Sequence, residues 1–370
     1  MAESVRVAFY VTDLQRICWG FCFFVLLQLA FADKQPDEDM FEELKDIRRR
    51  NNVARQMMVD YLNENPRFIT GELIREVDPD GILSVEEVYY ALFTGACGLD
   101  EQDSAEDARL AEDYFQEALC RLDTESFTSN SYYQNIKIPH ASFGRWELTY
   151  QEYAPYEAFI YQDIKLYPDS REVPILGYFT EPFRYPSVME DGHEWMSIKP
   201  SELETLADPI KKAHGRVITF GLGLGYYTYM VSLKPEVDSV TVVERSDEVI
   251  NLFNTYILPQ FPNPEKVRII HSDAYEYMDT LMMPGMYDYV LADLWHDVSD
   301  GLDLYLKFKK REHKFPGTEF DYWAEESLLS AVRWQLFDLI VATSSTEEDA
   351  LHRLSDDSLK KIISTDMRAR

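Results

Sequence analysis

The feature that most constrains the fold is a glycine-rich turn between a buried strand and a helix, at residues 216–230 (RVITFGLGLGYYTYM). The apolar run 217–220 leads directly into Gly221, Gly223 and Gly225, and aromatic residues follow. Glycine is favoured where the backbone turns sharply or where another group approaches it closely. The free N–H groups at the start of the following helix suit an anion or a carboxylate. The pattern therefore predicts a strand–turn–helix unit that binds a ligand.

Strands and helices alternate after this turn. The segments 239–243, 267–270 and 289–292 are short runs of β-branched and apolar residues, separated by helix-length segments. Such spacing predicts right-handed βαβ units and a parallel sheet. Upstream, short aromatic and β-branched runs within 141–181 predict a small antiparallel sheet. The fold class is therefore α/β, with a parallel sheet preceded by a small β-region.

Periodicity and turn signals divide the rest of the chain. Apolar residues at helical spacing predict an amphipathic helix over 38–65, and helical signals continue to about Leu122. Ser201 and Glu204 predict a capping box that opens a helix ending near Gly215. The polar stretch 126–139 is interpreted as a boundary. The predicted regions are an apolar helix or anchor at 1–34, a helical region at 35–130, a β-region at 140–200, the parallel-sheet domain at 201–345 and a charged tail at 346–370.

The apolar segment 17–32 (ICWGFCFFVLLQLAFA) allows three interpretations: a buried core helix, a membrane anchor or a cleaved signal peptide. It is shorter than the roughly 20 residues of a spanning helix and contains Gln28. The charges that precede it cancel, whereas a signal peptide has a positive leader. We expect a cytoplasmic protein that keeps this segment, and membrane contact through it stays open.

Composition excludes several classes of function. The chain carries 36 basic and 66 acidic residues, a net charge of −30, which disfavours nucleic acid and anionic lipid as partners. Cys18, Cys22, Cys97 and Cys120 have no CxxC spacing, which argues against a disulfide scaffold and a zinc ribbon. The GxSxG, HExxH and GxxxxGK[ST] motifs are absent from the sequence. The sequence leaves the oligomeric state open.

Residues 76–87 partly match a calcium-binding EF-hand loop. Asp78, Asp80, Gly81 and Glu87 fall at loop positions that carry ligands or a turn. Glu76 at the first position and a proline inside the loop depart from the motif. The same letters fit a turn followed by a helix that Ser84 and Glu87 cap. We expect no metal site.

Three acidic residues follow the predicted strands at corresponding positions. Glu244 ends the second strand, Asp273 follows the third and Asp293 follows the fourth. The carboxyl ends of parallel strands meet at one edge, where open α/β sheets place their ligands. An acid at the second position can accept hydrogen bonds from ribose hydroxyls, and one at the third from an adenine amine. The sequence thus predicts a nucleoside-binding site at this edge.

On these residues the chain resembles the class I S-adenosylmethionine (SAM)-dependent methyltransferases, and among them the spermidine synthase-like branch. The resemblance covers about residues 178–305. It rests on FGLGLG at 220–225, VVERS at 242–246, HSDA at 271–274 and YDYVLADLWHD at 287–297. It implies a Rossmann-like parallel sheet, here preceded by the small β-region and an α-helical N-terminal region.

The resemblance also implies SAM as the cofactor, with Asp293 at the cofactor amine or at the acceptor. The three glycines would line the methionine part, the acid of the second strand the ribose and the third strand end the adenine. The sequence departs from the resemblance at two places. Thr219 stands where many methyltransferases carry an acid before the first glycine, an acid that polyamine synthases often lack too. Trp295 and His296 follow Asp293 in place of the polyamine synthases' small polar residues, which weakens a polyamine-specific site. The implied cofactor-binding residues are Gly221, Gly223, Gly225, Glu244, Asp273, Ala274 and Asp293.

Methyl transfer needs an aligned nucleophile and a group that removes its proton. His296 is the candidate base, oriented by Asp293 or Asp297, and Asp293 is the second candidate catalytic residue. The candidate substrate-side residues are Trp195, which lies in the substrate-side segment 193–196 (HEWM), Tyr226 and Trp295. The expected reaction is methyl transfer to a small-molecule acceptor, for which a cationic compound would suit the acidic chain. An aminopropyltransferase and a non-catalytic SAM-fold binding module remain alternatives.

Overall fold

The computed structural model describes residues 38–343. The apolar segment 17–32, with Cys18 and Cys22, and the tail 346–370 lie outside the described residues. Their predicted roles as anchor, signal or tail therefore stay predictions.

The first region is helical and packs around one long amphipathic helix. Phe41, Ile47, Ala54 and Met58 recur on its buried face. The helix predicted over 38–65 is confirmed, since α1 runs from Glu38 to Glu64. The next helices are α2 (Gly71–Val77), α3 (Val85–Ala96) and α4 (Ala105–Leu110), the last continuing through a π-helical turn (Ala111–Phe115) and Gln116–Ala118.

The EF-hand-like loop is a capped turn between α2 and α3. The Ser84 hydroxyl accepts from the Glu87 N–H, and the Glu87 carboxylate accepts from the Ser84 N–H at 2.7 Å, which confirms the predicted capping box. The Asp78 carboxylate accepts from the backbone N–H groups of Ile82 and Leu83. The loop acids thus serve the backbone, and within residues 38–343 no cluster of three potential metal ligands forms.

Two small sheets follow, and one begins earlier than the sequence suggested. Leu119–Leu122, predicted as helix, is strand β1, because it pairs in parallel with residues 176–179. The helices α5 (Thr124–Thr128) and α6 (Ser131–Asn135) come next. The remaining strands are β2 (Ala141–Phe143), β3 (Trp146–Tyr153), β4 (Phe159–Leu166), β5 (Glu172–Phe179), β6 (Phe183–Glu190) and β7 (His193–Ser197).

The strand orders are β1-β5-β4 in one sheet and β2-β3-β6-β7 in the other, and the latter is antiparallel throughout. The polar stretch 126–139 does not simply separate two regions. Tyr132 on α6 is fully buried and its hydroxyl donates to the Leu224 carbonyl at 2.6 Å. This segment therefore packs against the glycine-rich turn and is hydrogen-bonded to it.

The helix after β7 begins earlier than predicted, so the Ser201–Glu204 capping box is wrong. α7 spans Pro200–Lys212, with Lys199 at its N-cap and no side-chain cap. Proline is well suited to the first helical position because its fixed φ matches the helix and its missing N–H needs no partner. Ser201 then lies inside the first turn, where its carbonyl accepts from the Thr205 hydroxyl.

The second half is built on a five-stranded sheet in which every neighbouring pair is parallel, which confirms the predicted α/β fold. The strand order is β10-β9-β8-β11-β12. The strands are β8 (Gly215–Phe220), β9 (Val237–Glu244), β10 (Val267–His271), β11 (Tyr289–Ala292) and β12 (Glu319–Tyr322). β12 is not among the strands that the sequence analysis predicted, and it pairs with β11.

Helices cover both faces of this sheet. Val217 packs in one apolar cluster and its neighbour Ile218 in another on the opposite face, as the alternation of a strand requires. The helices are α8 (Tyr226–Ser232), α9 (Asp247–Leu252), α10 (Ala274–Thr280), α11 (Val298–Glu312) and α12 (Glu325–Thr343). Within 38–343, no helix is both long enough and apolar enough to cross a membrane.

The last helix, α12, is fastened to the three-stranded sheet by polar contacts that we call the α12 seam. Glu172, which is 5% exposed, accepts from the Ser330 hydroxyl at 2.6 Å and pairs with the Arg333 guanidinium. Asp163 accepts from the backbone N–H and the hydroxyl of Ser327. Both seam carboxylates therefore have partners on α12.

Candidate functional site

The glycine-rich turn connects β8 to α8 with left-handed backbone at each glycine. The φ angles are +104° at Gly221, +48° at Gly223 and +71° at Gly225. The Gly221 N–H donates to the Val243 carbonyl at 3.0 Å, which joins the turn to the end of β9. Positive φ explains why glycine is needed at these positions before any ligand is considered.

The three glycines of the turn are packed against different neighbours. A Cβ atom at Gly221 would lie 2.0 Å from the Asp293 carbonyl oxygen, and one at Gly225 would lie 2.2 Å from the Phe253 ring. A Cβ atom at Gly223 would lie 1.6 Å from the sulfur of Met196. Gly221 and Gly225 are therefore packed against the protein itself. Only Gly223 faces the end of a flexible side chain that a ligand could displace.

Glu244 fixes the turn from the neighbouring strand. Its carboxylate accepts from the Leu222 N–H at 3.2 Å and from the Ser246 N–H at 2.7 Å. A carboxylate offers about four acceptor sites, so the two that remain could serve ribose hydroxyls. Glu244 lies where the sequence predicts it, and part of its capacity is already used by the backbone.

The end of β10 places Asp273 and Ala274 at the start of α10. Asp273 is exposed, and one of its oxygens accepts from the N–H groups of Tyr275 and Glu276, so it is the N-cap of the helix. The second oxygen has no hydrogen bond among the described residues. Ala274 is buried and packs against the sheet. The predicted adenine role of this pair remains a prediction.

Asp293 lies at the end of β11, beside the glycine-rich turn. Its N–H donates to the Phe220 carbonyl at 2.9 Å and its own carbonyl packs against Gly221. Asp293 is partly buried, and burial raises the pKa of this carboxyl. The His296 ring opposes the shift and the Glu244 carboxylate adds to it. Asp293 therefore keeps a proton to higher pH than an ordinary aspartic acid.

His296 stands at the exposed mouth of the site. Its Nδ1 atom lies 3.0 Å from the Asp300 carboxylate, and its ring meets Trp195 edge-on with 4.3 Å between ring centres. The prediction that Asp293 or Asp297 orients this ring is wrong. Asp297 is the N-cap of α11, and Asp300, one turn into that helix, faces His296 instead. This arrangement leaves Nε2 for a ligand.

The three predicted substrate-side aromatics are not brought together. Trp195 lies between Trp146 and His296 at the site. Tyr226 is 3% exposed, with its hydroxyl accepting from the Asn130 amide, and Trp295 is 5% exposed beneath α11. Tyr226 and Trp295 are thus core residues, since Tyr226 packs against Tyr132 and Trp295 against Tyr305.

The sequence analysis missed Glu202 as a site residue, whereas Met196 lies in the segment 193–196 that it placed on the substrate side. Met196 on β7 covers Gly223, and Glu202 in the first turn of α7 is 8% exposed near Asp293. An acid in a first helical turn is common, so its type and position gave no signal of burial. For both residues the functional context arises from contacts with distant parts of the chain. We call the glycine-rich turn, Glu244 and Asp293, with Met196 and Glu202 above them, the sheet edge.

Comparison with known proteins gives partial similarities to solved structures. No known family profile matches the chain, and no curated protein matches it. The chain is similar to a spermidine synthase from Thermotoga maritima (15% identity, 36% of this chain and 60% of that one, TM-score 0.27). It is also similar to a spermidine synthase in complex with the transition state analogue AdoDATO (15% identity, 40% of this chain and 60% of that one, TM-score 0.32). A third similarity is to precorrin-8W decarboxylase from Methanobacterium thermoautotrophicum (18% identity, 38% of this chain and 73% of that one, TM-score 0.28). The matched region spans about 60% of each spermidine synthase chain.

Proposed function

We propose that the protein is a SAM-dependent transferase that moves a methyl group to a small-molecule acceptor. The observation that carries the proposal is the contact of Glu244 with the Leu222 N–H, which holds a strand-end carboxylate against the glycine-rich turn. Asp293 borders the same turn from the opposite side. A turn between two strand-end acids at the carboxyl edge of a parallel sheet suits a nucleoside that carries an amino-acid tail.

The residues present fit this cofactor if Met196 changes its side-chain rotamer. Methionine is unbranched and flexible, so the space over Gly223 can be opened without moving the backbone. Glu244 would then hold the ribose hydroxyls, Asp273 the adenine amine and Asp293 the amino group. When bound, SAM supplies an electrophilic methyl group.

His296 is the group that would remove the acceptor proton. Its Nδ1 atom is held by Asp300, which fixes the ring orientation and leaves Nε2 as the base. Trp195 packs edge-on against the His296 ring and restricts its movement on that side. His296 is exposed, so a proton taken from the acceptor can pass on to solvent.

Two alternatives have their own support. Two acids, the buried Glu202 and the partly buried Asp293, would suit an amine acceptor and therefore an aminopropyl transfer. The contact of Met196 with Gly223 would suit a binding module in which the site stays closed. Turnover of an amine favours the first, and cofactor binding without turnover of any acceptor favours the second. We expect the protein to act in the cytoplasm.

Calorimetry with S-adenosylhomocysteine tests the proposal on the full-length protein. Glu244→Gln should lose about 1.5–3 kcal/mol of affinity, the size of a hydrogen bond to a charged group. Asp247→Asn is the control, since Asp247 is an exposed acid three residues further along the same turn and helix. Absence of binding to the wild-type protein, or equal affinity in both variants, would refute the assignment.

A further inference from the structure

Glu202 is a buried carboxylate without a partner. It lies at the third position of α7 and is 8% exposed. Among residues 41–338 no hydrogen bond or ion pair of standard geometry reaches its carboxylate. The Trp323 indole N–H faces it, but that N–H is itself buried and meets no acceptor at hydrogen-bonding distance and angle. Among the described residues the Glu202 carboxylate and the Trp323 indole N–H therefore both lack a hydrogen bond of standard geometry.

The surroundings of Glu202 are acidic. Asp293 and Glu194 act on it as like charges, and Lys199 is the opposing cation. The Lys199 ammonium is already paired with Glu194 at 3.0 Å. The start of α7 favours negative charge. Burial outweighs it and, with Asp293 next in effect, raises the pKa of Glu202.

A buried carboxylate of this kind needs either a proton or a cation. In the α12 seam, the buried carboxylate of Glu172 is paired with Arg333 and Ser330. Among the described residues, no such side chain pairs with Glu202. A metal ion would require more oxygen ligands than Glu202 and Asp293 provide, and the described residues contain no group of three metal-binding side chains. An alkylammonium group needs only a few acceptors and suits two neighbouring carboxyls.

We propose that Glu202, together with Asp293, binds an aliphatic ammonium group of the ligand and gives up a proton when that group enters. The proposal rests on the transferase function proposed above and adds Glu202 as a residue that recognises charge. The ammonium group has two sources, the amino-acid tail of the cofactor and an amine acceptor. The proton leaves for solvent as the ammonium arrives, so the charge within the site is balanced.

Calorimetry on the full-length protein at neutral pH, with three ligands, separates these sources. S-adenosylhomocysteine carries the nucleoside and the ammonium, methylthioadenosine only the nucleoside, and putrescine only ammonium groups. Glu202→Gln should weaken at least one ammonium-bearing ligand by about tenfold or more and leave methylthioadenosine within about twofold. Loss for S-adenosylhomocysteine assigns the group to the cofactor, and loss for putrescine assigns it to the acceptor.

Proton release gives a readout that a purely structural role would not change. Binding heats in phosphate and in Tris should differ by the release of up to about one proton for the wild type, and the difference should vanish in Glu202→Gln. Glu204→Gln, a partly exposed acid two residues further along α7, should behave as wild type.

The outcomes keep this inference apart from the proposed function. If methylthioadenosine binds and Glu202→Gln leaves all three affinities and the proton release unchanged, the role of Glu202 is refuted while the nucleoside site stands. An equal loss for all three ligands also refutes it. If neither nucleoside binds, the proposed function fails, and putrescine alone decides on the ammonium site. No binding of any ligand overturns both.

Discussion

Two regions of the molecule bury a glutamate, and they treat it differently. In the α12 seam, Glu172 is enclosed and has both a guanidinium and a hydroxyl as partners. At the sheet edge, Glu202 is enclosed to a similar degree and has neither. The comparison teaches that burial alone does not distinguish a structural acid from a binding one. The presence of a partner within the protein does.

The seam should carry more of the stability than the sheet edge. Arg333→Met leaves the Glu172 carboxylate buried without its cation, and we expect a loss of about 3–5 kcal/mol in the free energy of unfolding. Denaturant unfolding measures it. In the double variant Glu172→Gln/Arg333→Met most of the loss should be recovered, because no charge is then stranded. A loss of under about 1 kcal/mol in the single variant would make the seam no stronger than a surface pair.

A side chain added at Gly223 should destabilise the fold because it would collide with Met196. Gly223→Ala places a Cβ against the Met196 sulfur, and overpacking of this kind costs about 1–3 kcal/mol. Gly81→Ala is the control, since Gly81 also has positive φ (+64°) but no atom within 4 Å of the added Cβ. The excess loss in Gly223→Ala should disappear when Met196→Ala is added. If the excess persists, Met196 is not the obstacle.

The pH dependence of stability should come from the sheet edge. The pKa of Glu202 is raised in the folded state, so above the ordinary glutamate value the folded state holds more protons than the unfolded one. Stability therefore falls as pH rises, by up to about 1.4 kcal/mol per pH unit for one proton. Unfolding curves from about pH 5 to about pH 8 should show this slope in the wild type. They should be flatter in Glu202→Gln, and an unchanged slope would assign the effect elsewhere.

The exposed mouth of the site should matter least for stability. The side chains of His296 and Asp300 are each 44% exposed, so Asp300→Asn should cost about 1 kcal/mol or less. Asp303→Asn, an exposed acid on the same helix, is the matched control. Thermal unfolding measures both. A loss comparable to that of Arg333→Met would show that the mouth is part of the structural framework.

The sequence predicted those parts of the fold that depend on local pattern. The glycine-rich turn, the alternation of strands and helices and the capping box at Ser84 are written in neighbouring residues, and the structure contains all three. The strands β1 and β12 have four residues each, too few to display an alternation. They become strands only through pairing with β5 and β11, which lie far away in the chain.

The strand-end acids of the site could be predicted from the sequence, but Glu202 could not. Glu244 and Asp293 follow strands directly, so the topology brings them to one edge. Met196 lies in the segment 193–196 that the sequence placed on the substrate side, whereas Glu202 reaches that edge through the path of β7 and α7, which no local pattern reveals. Tyr226 and Trp295 show the opposite case. Their residue type suited a ligand wall, but only the packed structure decides which side of the sheet an aromatic ring covers.

The α12 seam has a consequence for the order in which the chain becomes structured during synthesis. The partners of Glu172 are 158 and 161 residues further along the chain. While the ribosome is still making the parallel sheet, the three-stranded sheet has been made but its buried glutamate still lacks its cation. The pairing of this glutamate must wait until α12 has emerged. Folding of this protein therefore cannot be completed strictly from the N-terminus, because the partners of Glu172 are present only once residue 333 has been made.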